Sequence, residues 1–388
     1  MKLPKLIYIG GVPVEAELSG AALLYRMLCE YPTDRILVAQ PGFPPLGPRL
    51  PDVRYVSFDD GVARWVPSTW PVVSRLLRPL AIGINVAWLS RKLAETARSF
   101  GAEAVLTVTH GPFCLAAAAV AKRLLLPLYI ISHDNWQDTI SADPPLLWHW
   151  QRQFRAAYTA AAARLCVSPY MVSYYERLYG APGSVLLPCR AKEVLEYPGP
   201  PERSDGRPFT IAYAGSFHVG YTESFRVLAR ALEECGGHLV IYSNLGSKDA
   251  SQFGLDSESV LVRPTMPPRD QVANLRATAD ALVLVLADNL NARLCFPSKL
   301  VDYTATGLPI LILAPGDSSA AMWAKETQGV AIVVDNWDHE GIARAVRNLE
   351  SAPGLRCSLG QAALAAGRNS FSYSRARDQF LSILQKAT

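Results

Sequence analysis

Residues 291–315 read NARLCFPSKLVDYTATGLPILILAP, and this stretch predicts one unit of a layered α/β fold. Two apolar runs typical of buried strands flank its middle, at residues 281–287 and 310–314. Between them, Pro297 and Ser298 favour the start of a helix and Gly307 favours its end. The order is therefore strand, loop, short helix, strand.

The start of this helix is suited to hold an anion. A helix N-terminus presents unpaired N–H groups and the positive end of the helix dipole, so it can bind a diphosphate. Arg293 and Lys299 add two positive charges nearby. Asp302 follows Ser298 by one turn, where its carboxylate can accept hydrogen bonds from the two hydroxyls of a ribose. The alternative is an ordinary βαβ unit whose polar residues face water.

The segment FPSKLVDYTATGLPIL, residues 296–311, resembles the donor-site motif of the GT-B glycosyltransferases. The match is to the family 4 group, in which the pattern P-S-K-L-x-E-Y-x-A-x-G-x-P recurs. The resemblance implies an α/β fold of two Rossmann-like domains that face a cleft. It also implies that Asp302 binds the ribose of a nucleotide-sugar donor and that the helix start at Pro297 and Ser298 faces the diphosphate.

Strand–helix alternation on both sides of a proline-rich stretch predicts two domains. We expect an N-terminal, acceptor-side domain at residues 1–196 and a linker at 197–208, which reads YPGPPERSDGRP. A nucleotide-sugar-binding domain follows at 209–370. The resemblance implies that a last helix, within residues 371–388, crosses back to the N-terminal domain.

Two glycines and two histidines follow predicted strands of the N-terminal domain. Gly10 and Gly11 permit a close approach of backbone to ligand, but they do not form a G-x-G-x-x-G fingerprint and a plain turn explains them equally well. His110 and His133 lie where open α/β sheets bind ligands. We favour a structural role for His110. The resemblance matches His133 to a family histidine that contacts the donor sugar.

The sequence departs from the family pattern at charged positions. Many members carry an arginine and a lysine that neutralise the leaving diphosphate, and here those positions are Ser216 and Thr222. Leu294 occupies the position of a glutamate that contacts the donor sugar. A leaving diphosphate needs positive stabilisation, so either other cations replace the missing pair or activity is altered or lost. The candidate replacements are Arg293, Lys299 and Arg263.

Composition limits the remaining possibilities. The 388 residues are 50% hydrophobic, which is enough for a large core. Seven scattered cysteines without a C-x-x-C pair argue against a disulfide framework and a zinc site. Residues 1–200 hold 20 Lys and Arg against 15 Asp and Glu, an excess too small for a nucleic-acid groove. No signal peptide or membrane span is visible, so we expect a cytoplasmic protein, free or peripheral at the inner membrane face.

Residues 65–92 mix tryptophan with basic residues, as membrane-interface segments do. The residues concerned are Trp65, Trp70, Trp88, Arg75, Arg78, Arg91 and Lys92. A helix packed on its own sheet with solvated arginines is the alternative, which we favour from the residues alone.

The resemblance implies a hexosyltransferase-like enzyme of polysaccharide biosynthesis that moves a sugar from a nucleotide-sugar to a glycan or lipid-linked acceptor. The resemblance implies a retaining reaction with no metal and no cofactor. The alternatives are a GT-B sugar-nucleotide epimerase or hydrolase, and a non-catalytic nucleotide-sugar-binding homologue. The predicted catalytic residues are His133, Arg293 and Lys299. The predicted donor-binding residues are Gly10, Gly11, Gly215, Ser216, Arg263, Pro297, Ser298 and Asp302.

Overall fold

The computed structural model describes residues 3–16, 19–42, 44–45, 47–58, 71–140, 144–203 and 206–386 of the chain. The chain divides into two compact units. The first comprises Met1–Leu187 together with Ser374–Thr388, and the second comprises Pro188–Tyr373. The stretch predicted as a linker, residues 197–208, lies within the second unit.

The first unit is built on a seven-stranded parallel sheet in the order β3-β2-β1-β4-β5-β6-β7. Its strands are β1 (Leu6–Ile9), β2 (Ile36–Pro41), β3 (Arg54–Phe58), β4 (Ala104–Val108), β5 (Leu128–Ser132), β6 (Ala163–Cys166) and β7 (Ser184–Val185). Every residue of β1, β4 and β5 is buried, since the strands inside a parallel sheet are covered on both faces. The strand order reverses between β1 and β4, and the carboxyl ends of strands at such a point are where these sheets bind ligands.

Five helices precede the second unit in the described part of the first. They are α1 (Ser19–Leu28), α2 (Pro71–Phe100), α3 (Phe113–Leu124), α4 (Pro144–Ala160) and α5 (Pro169–Tyr179). Trp136 and Phe154 stack in the core with ring centroids 4.3 Å apart. Apolar side chains on α4 and α5 thus bury an aromatic cluster beside the sheet.

The second unit has a six-stranded parallel sheet in the order β10-β9-β8-β11-β12-β13. Its strands are β8 (Thr210–Ala214), β9 (His238–Tyr242), β10 (Val260–Arg263), β11 (Ala281–Val285), β12 (Ile310–Leu313) and β13 (Ile332–Val334). Its helices are α6 (Thr222–Glu233), α7 (Ser247–Gln252), α8 (Pro268–Thr278), α9 (Leu290–Leu294), α10 (Lys299–Thr306), α11 (Ser319–Glu326), α12 (His339–Ser351) and α13 (Pro353–Ser370). The strand order reverses between β8 and β11, which places the ends of these strands at the ligand-binding edge.

At the amino-terminal ends of the two central strands of this sheet, a buried carboxylate accepts several hydrogen bonds. Asp280 accepts hydrogen bonds from Nη1 and Nη2 of Arg207 at 3.1 and 2.7 Å, and from the backbone N–H of Thr210 at 2.8 Å. Asp280 thereby joins the starts of β8 and β11. This network lies at the amino ends of the two strands, and the candidate functional site lies at their carboxyl ends.

The chain returns to the first unit in its last helix, α14 (Tyr373–Lys386). Phe380 and Leu384 are fully buried. The hydroxyl of Tyr129 donates to the carbonyl of Leu384 at 3.0 Å, and the side-chain amide of Gln379 donates to the carbonyl of Val185 at 2.6 Å. Both apolar burial and hydrogen bonds therefore join α14 to the sheet.

Across the described residues, none of the helices combines the length and the apolar character that a membrane span requires.

Candidate functional site

The start of α10 exposes backbone donors without a side-chain cap. Ser298 is the N-cap, has helical backbone angles and makes no capping hydrogen bond with its side chain. The first turn is closed by short-range bonds from Leu300 N–H to the Pro297 carbonyl and from Val301 N–H to the Ser298 carbonyl, each 3.1 Å. Among the described residues, the N–H groups of Ser298 and Lys299 have no such partner. These donors and the helix dipole make an anion-binding end.

Lys299 lies against the end of β8. Its Nζ is 5.1 Å from the centre of the Tyr213 ring. A Cβ at Gly215 would overlap Cε of Lys299, and Gly215 has a φ of +142°, which L side chains rarely adopt. Gly215 therefore makes room for the lysine, whose ammonium reaches the carboxyl edge of the sheet.

Burial has a direct effect on this lysine. Desolvation lowers the pKa of Lys299 to about 8, because the charged ammonium loses water. Within the described residues, no carboxylate forms an ion pair with it. Lys299 is thus a positive charge at a helix N-terminus with no ion-pair partner among the described residues, as expected of an anion site.

His218, which the sequence analysis did not select, adds a titratable group near Lys299. It follows β8 in the same loop as Gly215, and its ring stands edge-on to Tyr221 at 5.2 Å. Burial lowers the pKa of His218, and the positive charge of Lys299 lowers it further. The sequence signal that could have identified His218 is its position three residues after Gly215, the glycine that ends the strand. A histidine at this position does not supply the permanent positive charge of an arginine.

Asp302 is fixed by the packing of its helix. The hydroxyl of its neighbour Tyr303 donates to the Val283 carbonyl at 3.1 Å and accepts from the Ala214 N–H at 2.9 Å, so it joins α10 to both β8 and β11. At the other end, Nη1 of Arg276 donates to the carbonyl of Thr306 at 2.6 Å. The half-buried Asp302 therefore projects from a rigid element.

Arg293 is engaged by two carboxylates. Its Nη1 lies 2.8 Å from Oδ1 of Asp288, and its Nε lies 2.7 Å from Oδ2 of Asp317. The hydrogen bonds that Arg293 donates to Asp317 and Asp288 raise its pKa. The positive charge that the sequence placed beside Lys299 is therefore already balanced by two negative ones.

The other predicted donor-binding residues of this unit are spread along its carboxyl edge. Arg263 is exposed at the end of β10, the edge strand of the sheet and two strands from β8. Ser216 is exposed, and its carbonyl accepts a hydrogen bond from the Tyr213 hydroxyl at 2.5 Å. Thr222 opens α6 and Leu294 is buried. Lys299 and Asp302 are thus the predicted polar side chains that one helix brings together.

In the first unit, packing explains both glycines after β1. A Cβ at Gly10 would overlap the hydroxyl of Tyr8, and a Cβ at Gly11 would stand 2.7 Å from the ring of Phe113. Neither glycine has a left-handed backbone. The plain-turn interpretation therefore has a physical cause, and a ligand is not needed to account for these residues.

His133 forms a cluster with its neighbours at the ends of β4 and β5. Nε2 of His133 is 3.2 Å from Oδ2 of Asp134, and Nδ1 of His110 is 3.9 Å from the same oxygen. Burial and then the charge of His133 lower the pKa of His110, while Asp134 raises it. His133 itself is largely buried, and its Nδ1 is shielded from water without a hydrogen-bond partner.

The three ligand atoms of this cluster lie within 4.8 Å of one another, close enough for one metal ion. A metal-bound histidine, however, almost always donates its second ring N–H to an outer oxygen. Nδ1 of His133 lacks that oxygen, so the geometry fits a histidine–carboxylate pair better than a metal centre.

The comparisons with known proteins agree with this architecture. The family model described as Glycosyltransferase Family 4 matches residues 46–189. Among solved structures, HepE from Anabaena in complex with UDP superposes with a TM-score of 0.70 at 12% identity, over 98% of this chain and 99% of that chain. The chain has the GT-B glycosyltransferase fold.

Two other enzymes show the same GT-B fold. Sucrose-phosphate synthase from Thermosynechococcus elongatus has a TM-score of 0.66 at 13% identity and covers 98% of each chain. The α,α-trehalose 6-phosphate synthase from Burkholderia multivorans has a TM-score of 0.63 at 14% identity, over 99% of this chain and 97% of that chain. No curated protein matches the sequence.

The expected fold and the resemblance to the GT-B glycosyltransferases are confirmed. The family model matches a segment before the motif at residues 296–311 on which the resemblance was based. Two separate parts of this GT-B protein thus point to one group of proteins.

Proposed function

We propose that this GT-B protein is a glycosyltransferase whose nucleotide-sugar donor places its diphosphate at the start of α10. The observation that carries the proposal is Lys299, a desolvated cation without an ion-pair partner among the described residues, beside free backbone donors. Asp302 follows one turn later on the same helix and serves the ribose. HepE has been solved in complex with UDP-glucose, which makes a uridine diphosphate sugar the first donor to test.

The chemistry follows from where charge develops. As the bond between the sugar and the diphosphate breaks, negative charge grows on the leaving oxygen. In this proposal, Lys299 and the N-terminus of α10 stabilise the negative charge on the leaving oxygen, as a divalent cation does in other enzymes. We therefore infer a metal-independent reaction. Retention of configuration and the contact of His133 with the donor sugar rest on the resemblance.

A donor screen tests the proposal. UDP-, GDP-, ADP- and dTDP-sugars are compared by thermal shift, since a ligand at about 100 times its Kd adds roughly 2.7 kcal/mol of stability. One donor is expected to raise the melting temperature, and Lys299→Met is expected to abolish the shift. Arg344→Met, which removes an exposed cation from α12 of the same unit, is the matched control. Stabilisation by none of these donors would refute the proposal.

Donor binding without transfer is the second candidate, and specific residues favour it. Ser216, Thr222 and Leu294 stand where family members carry charges, and Arg293 is already neutralised. Measuring UDP release from UDP-sugar separates the outcomes. Release that requires an added acceptor identifies a transferase, release without acceptor a hydrolase, and binding without release a non-catalytic protein.

Exposed side chains on two helices of the first unit bear on what kind of acceptor the protein uses. Ile84, Trp88 and Trp148 are 61%, 51% and 62% exposed on α2 and α4. Lys92 lies over the ring of Trp88 at 5.3 Å and Arg152 over that of Trp148 at 5.9 Å. We call these five residues the aromatic–basic face. Trp65 and Trp70, and the side chains of Arg75 and Arg78, lie outside the described residues.

We infer that the aromatic–basic face rests on an anionic membrane and that the acceptor is lipid-linked. Exposed tryptophans contribute favourable free energy of membrane binding when they enter the headgroup layer. Each nearby basic residue adds roughly 1 kcal/mol to that free energy on an anionic surface. Co-sedimentation with phosphatidylserine vesicles is expected and should be lost in the double variant Trp88→Ala/Trp148→Ala. Trp337→Ala, at a tryptophan 71% exposed in the second unit, is the control. A wild-type protein that stays in the supernatant would indicate a soluble acceptor.

A further inference from the structure

His110 carries an exposed imidazole just after β4, at the carboxyl edge of the first sheet. Its side chain is 47% exposed, and its ring centre lies 6.1 Å from that of His133. Among the described residues, neither ring nitrogen of His110 makes a hydrogen bond, so no internal bond explains a histidine at this position. An imidazole that faces solvent at the ligand-binding edge of a parallel sheet is available to a bound molecule.

The backbone beside His110 is rigidly held. Gly111 donates its N–H to Oγ1 of Thr139 at 3.0 Å, and its carbonyl accepts a hydrogen bond from Nε1 of Trp136 at 3.1 Å. Gly111 has a φ of +63°, a conformation that favours glycine. Trp136 and Thr139 follow β5 in the same loop as Asp134. This loop therefore fixes the backbone of His110 relative to Asp134.

Asp134 contacts the two imidazoles through different nitrogens. Its Oδ2 is 3.2 Å from Nε2 of His133 and 3.9 Å from Nδ1 of His110. A carboxylate favours the tautomer whose proton faces it, so the lone pair of a neutral His110 lies on Nε2. The distance from Nδ1 exceeds a hydrogen bond, but such bonds often tighten only when substrate binds.

The neutral form of His110 is the one that can accept a proton. Burial and then the charge of His133 lower the pKa of His110 from its ordinary value, while Asp134 opposes the shift. These two residues are the titratable groups that the ring senses in the described part of the chain. The imidazole is therefore mostly neutral at pH 7.

We propose that His110 is the catalytic base that removes the proton from the acceptor hydroxyl. The inference rests on the proposed transferase function. The O–H bond of the acceptor breaks, its proton moves to Nε2 of His110, and the oxygen bonds to the anomeric carbon of the donor. The bond from that carbon to the diphosphate breaks, and its electron pair leaves with the diphosphate. The carboxylate of Asp134 stabilises the resulting imidazolium.

The test compares two nucleophiles that differ in whether they must lose a proton. UDP release is measured from UDP-glucose, or from whichever nucleotide-sugar the donor screen selects. The acceptor is octyl β-glucoside, a soluble lipid-linked sugar, or azide, which carries no proton. His110→Gln should lower the rate with octyl β-glucoside about 10²-fold, because glutamine cannot act as a base. With azide the variant should keep the wild-type rate, which also shows that it is folded.

The other outcomes separate the inference from the proposed function. His339→Gln, at an exposed histidine of α12, is the control and should match wild type with both nucleophiles. No release by wild type with either nucleophile would refute the transferase function. Wild-type release with azide alone, or equal release with octyl β-glucoside in wild type and His110→Gln, would overturn the inference. Equal release would leave the diphosphate as the proton acceptor.

The pH profile gives a second measurement. With octyl β-glucoside, the wild-type rate should fall as the pH drops through the pKa of His110, because the protonated ring cannot accept a proton. This fall should be absent with azide and in His110→Gln. An identical fall in His110→Gln would assign it to another group and overturn the inference. Loss of the octyl β-glucoside rate in EDTA would overturn it too, by making the cluster a metal site.

Discussion

At the scale of single residues, Lys299 couples pH to donor binding. The pKa of Lys299 is lowered by desolvation to about 8, so its charge is lost as the pH rises through that value. We expect the affinity for UDP to fall about tenfold between roughly pH 7 and pH 9.5, a window set by this pKa. Isothermal titration across pH measures it. A pH profile in Lys299→Met as steep as that of wild type would contradict the assignment.

The same residue links function to stability. A lysine whose pKa is about 8 when folded and about 10.4 when unfolded destabilises the native state while charged, and this penalty fades as the pH rises between the two values. Lys299→Met should therefore raise the melting temperature near neutral pH while it weakens UDP binding. Unchanged or lowered melting temperature at pH 7 would mean that the ammonium is better solvated than its surroundings indicate.

Arg293 should matter little for the donor. Its charge is held by Asp288 and Asp317, so it has less to offer a diphosphate than Lys299 has. We expect Arg293→Ala to change the donor kcat/KM by less than about threefold, and Lys299→Ala to lower it by roughly 10²-fold. Steady-state kinetics with both variants checks the ranking. Equal losses would restore Arg293 as a second counter-charge.

The position of Lys299 at the helix start could be predicted from the sequence, but the ion pairs of Arg293 could not. Lys299 belongs to a local pattern, the first turn of a helix after proline and serine. Such patterns of neighbouring residues can be recognised in a single sequence. The partner Asp317 is 24 residues away in a different loop, so its ion pair depends on tertiary structure. The same applies to Arg190, because it packs against Gly367, which lies in a distant part of the sequence.

At the scale of elements, Leu125 ends α3 in a conformation that favours glycine. It has a φ of +57°, is 92% exposed, and donates its backbone N–H to the carbonyls of Ala121 and Lys122. Leu125→Gly should stabilise the protein by about 1 kcal/mol, because the left-handed strain of a branched residue is removed. Arg123→Gly, inside the helix, should destabilise it by about 1 kcal/mol. Urea denaturation compares the two, and destabilisation by Leu125→Gly would contradict the cap assignment.

Helix prediction failed where tertiary packing overrides local propensity. The sequence analysis indicated no helix at residues 353–370, where α13 lies. Its glycines are poor helix formers, but Gly360 packs against the carbonyl of Gly307 and Gly367 packs against Arg190. These glycines allow α13 to approach α10, a requirement that only the folded neighbour reveals. By contrast, α10 and β12 were predicted because their periodicity and end signals are local.

At the scale of the whole molecule, two phenylalanines nine positions apart belong to different units. Phe371 packs on Phe296 and Trp323 in the second unit, with ring centroids 5.4 and 5.8 Å away, while Phe380 is buried in the first. Each substitution by alanine should cost about 3–5 kcal/mol. Hydrogen exchange should show that Phe371→Ala loosens the second unit and Phe380→Ala the first. A common pattern from both variants would mean that the units unfold as one.

The return of α14 to the first unit also bears on how the protein is made. Tyr129 and Leu384, joined by a hydrogen bond, are 255 positions apart in the chain. During synthesis the second unit therefore emerges from the ribosome before the helix that completes the first. Until then, the nascent chain exposes the apolar surface that Phe380 and Leu384 later cover. Translation that stalls within the second unit thus leaves an incomplete first unit, open to chaperones and proteases.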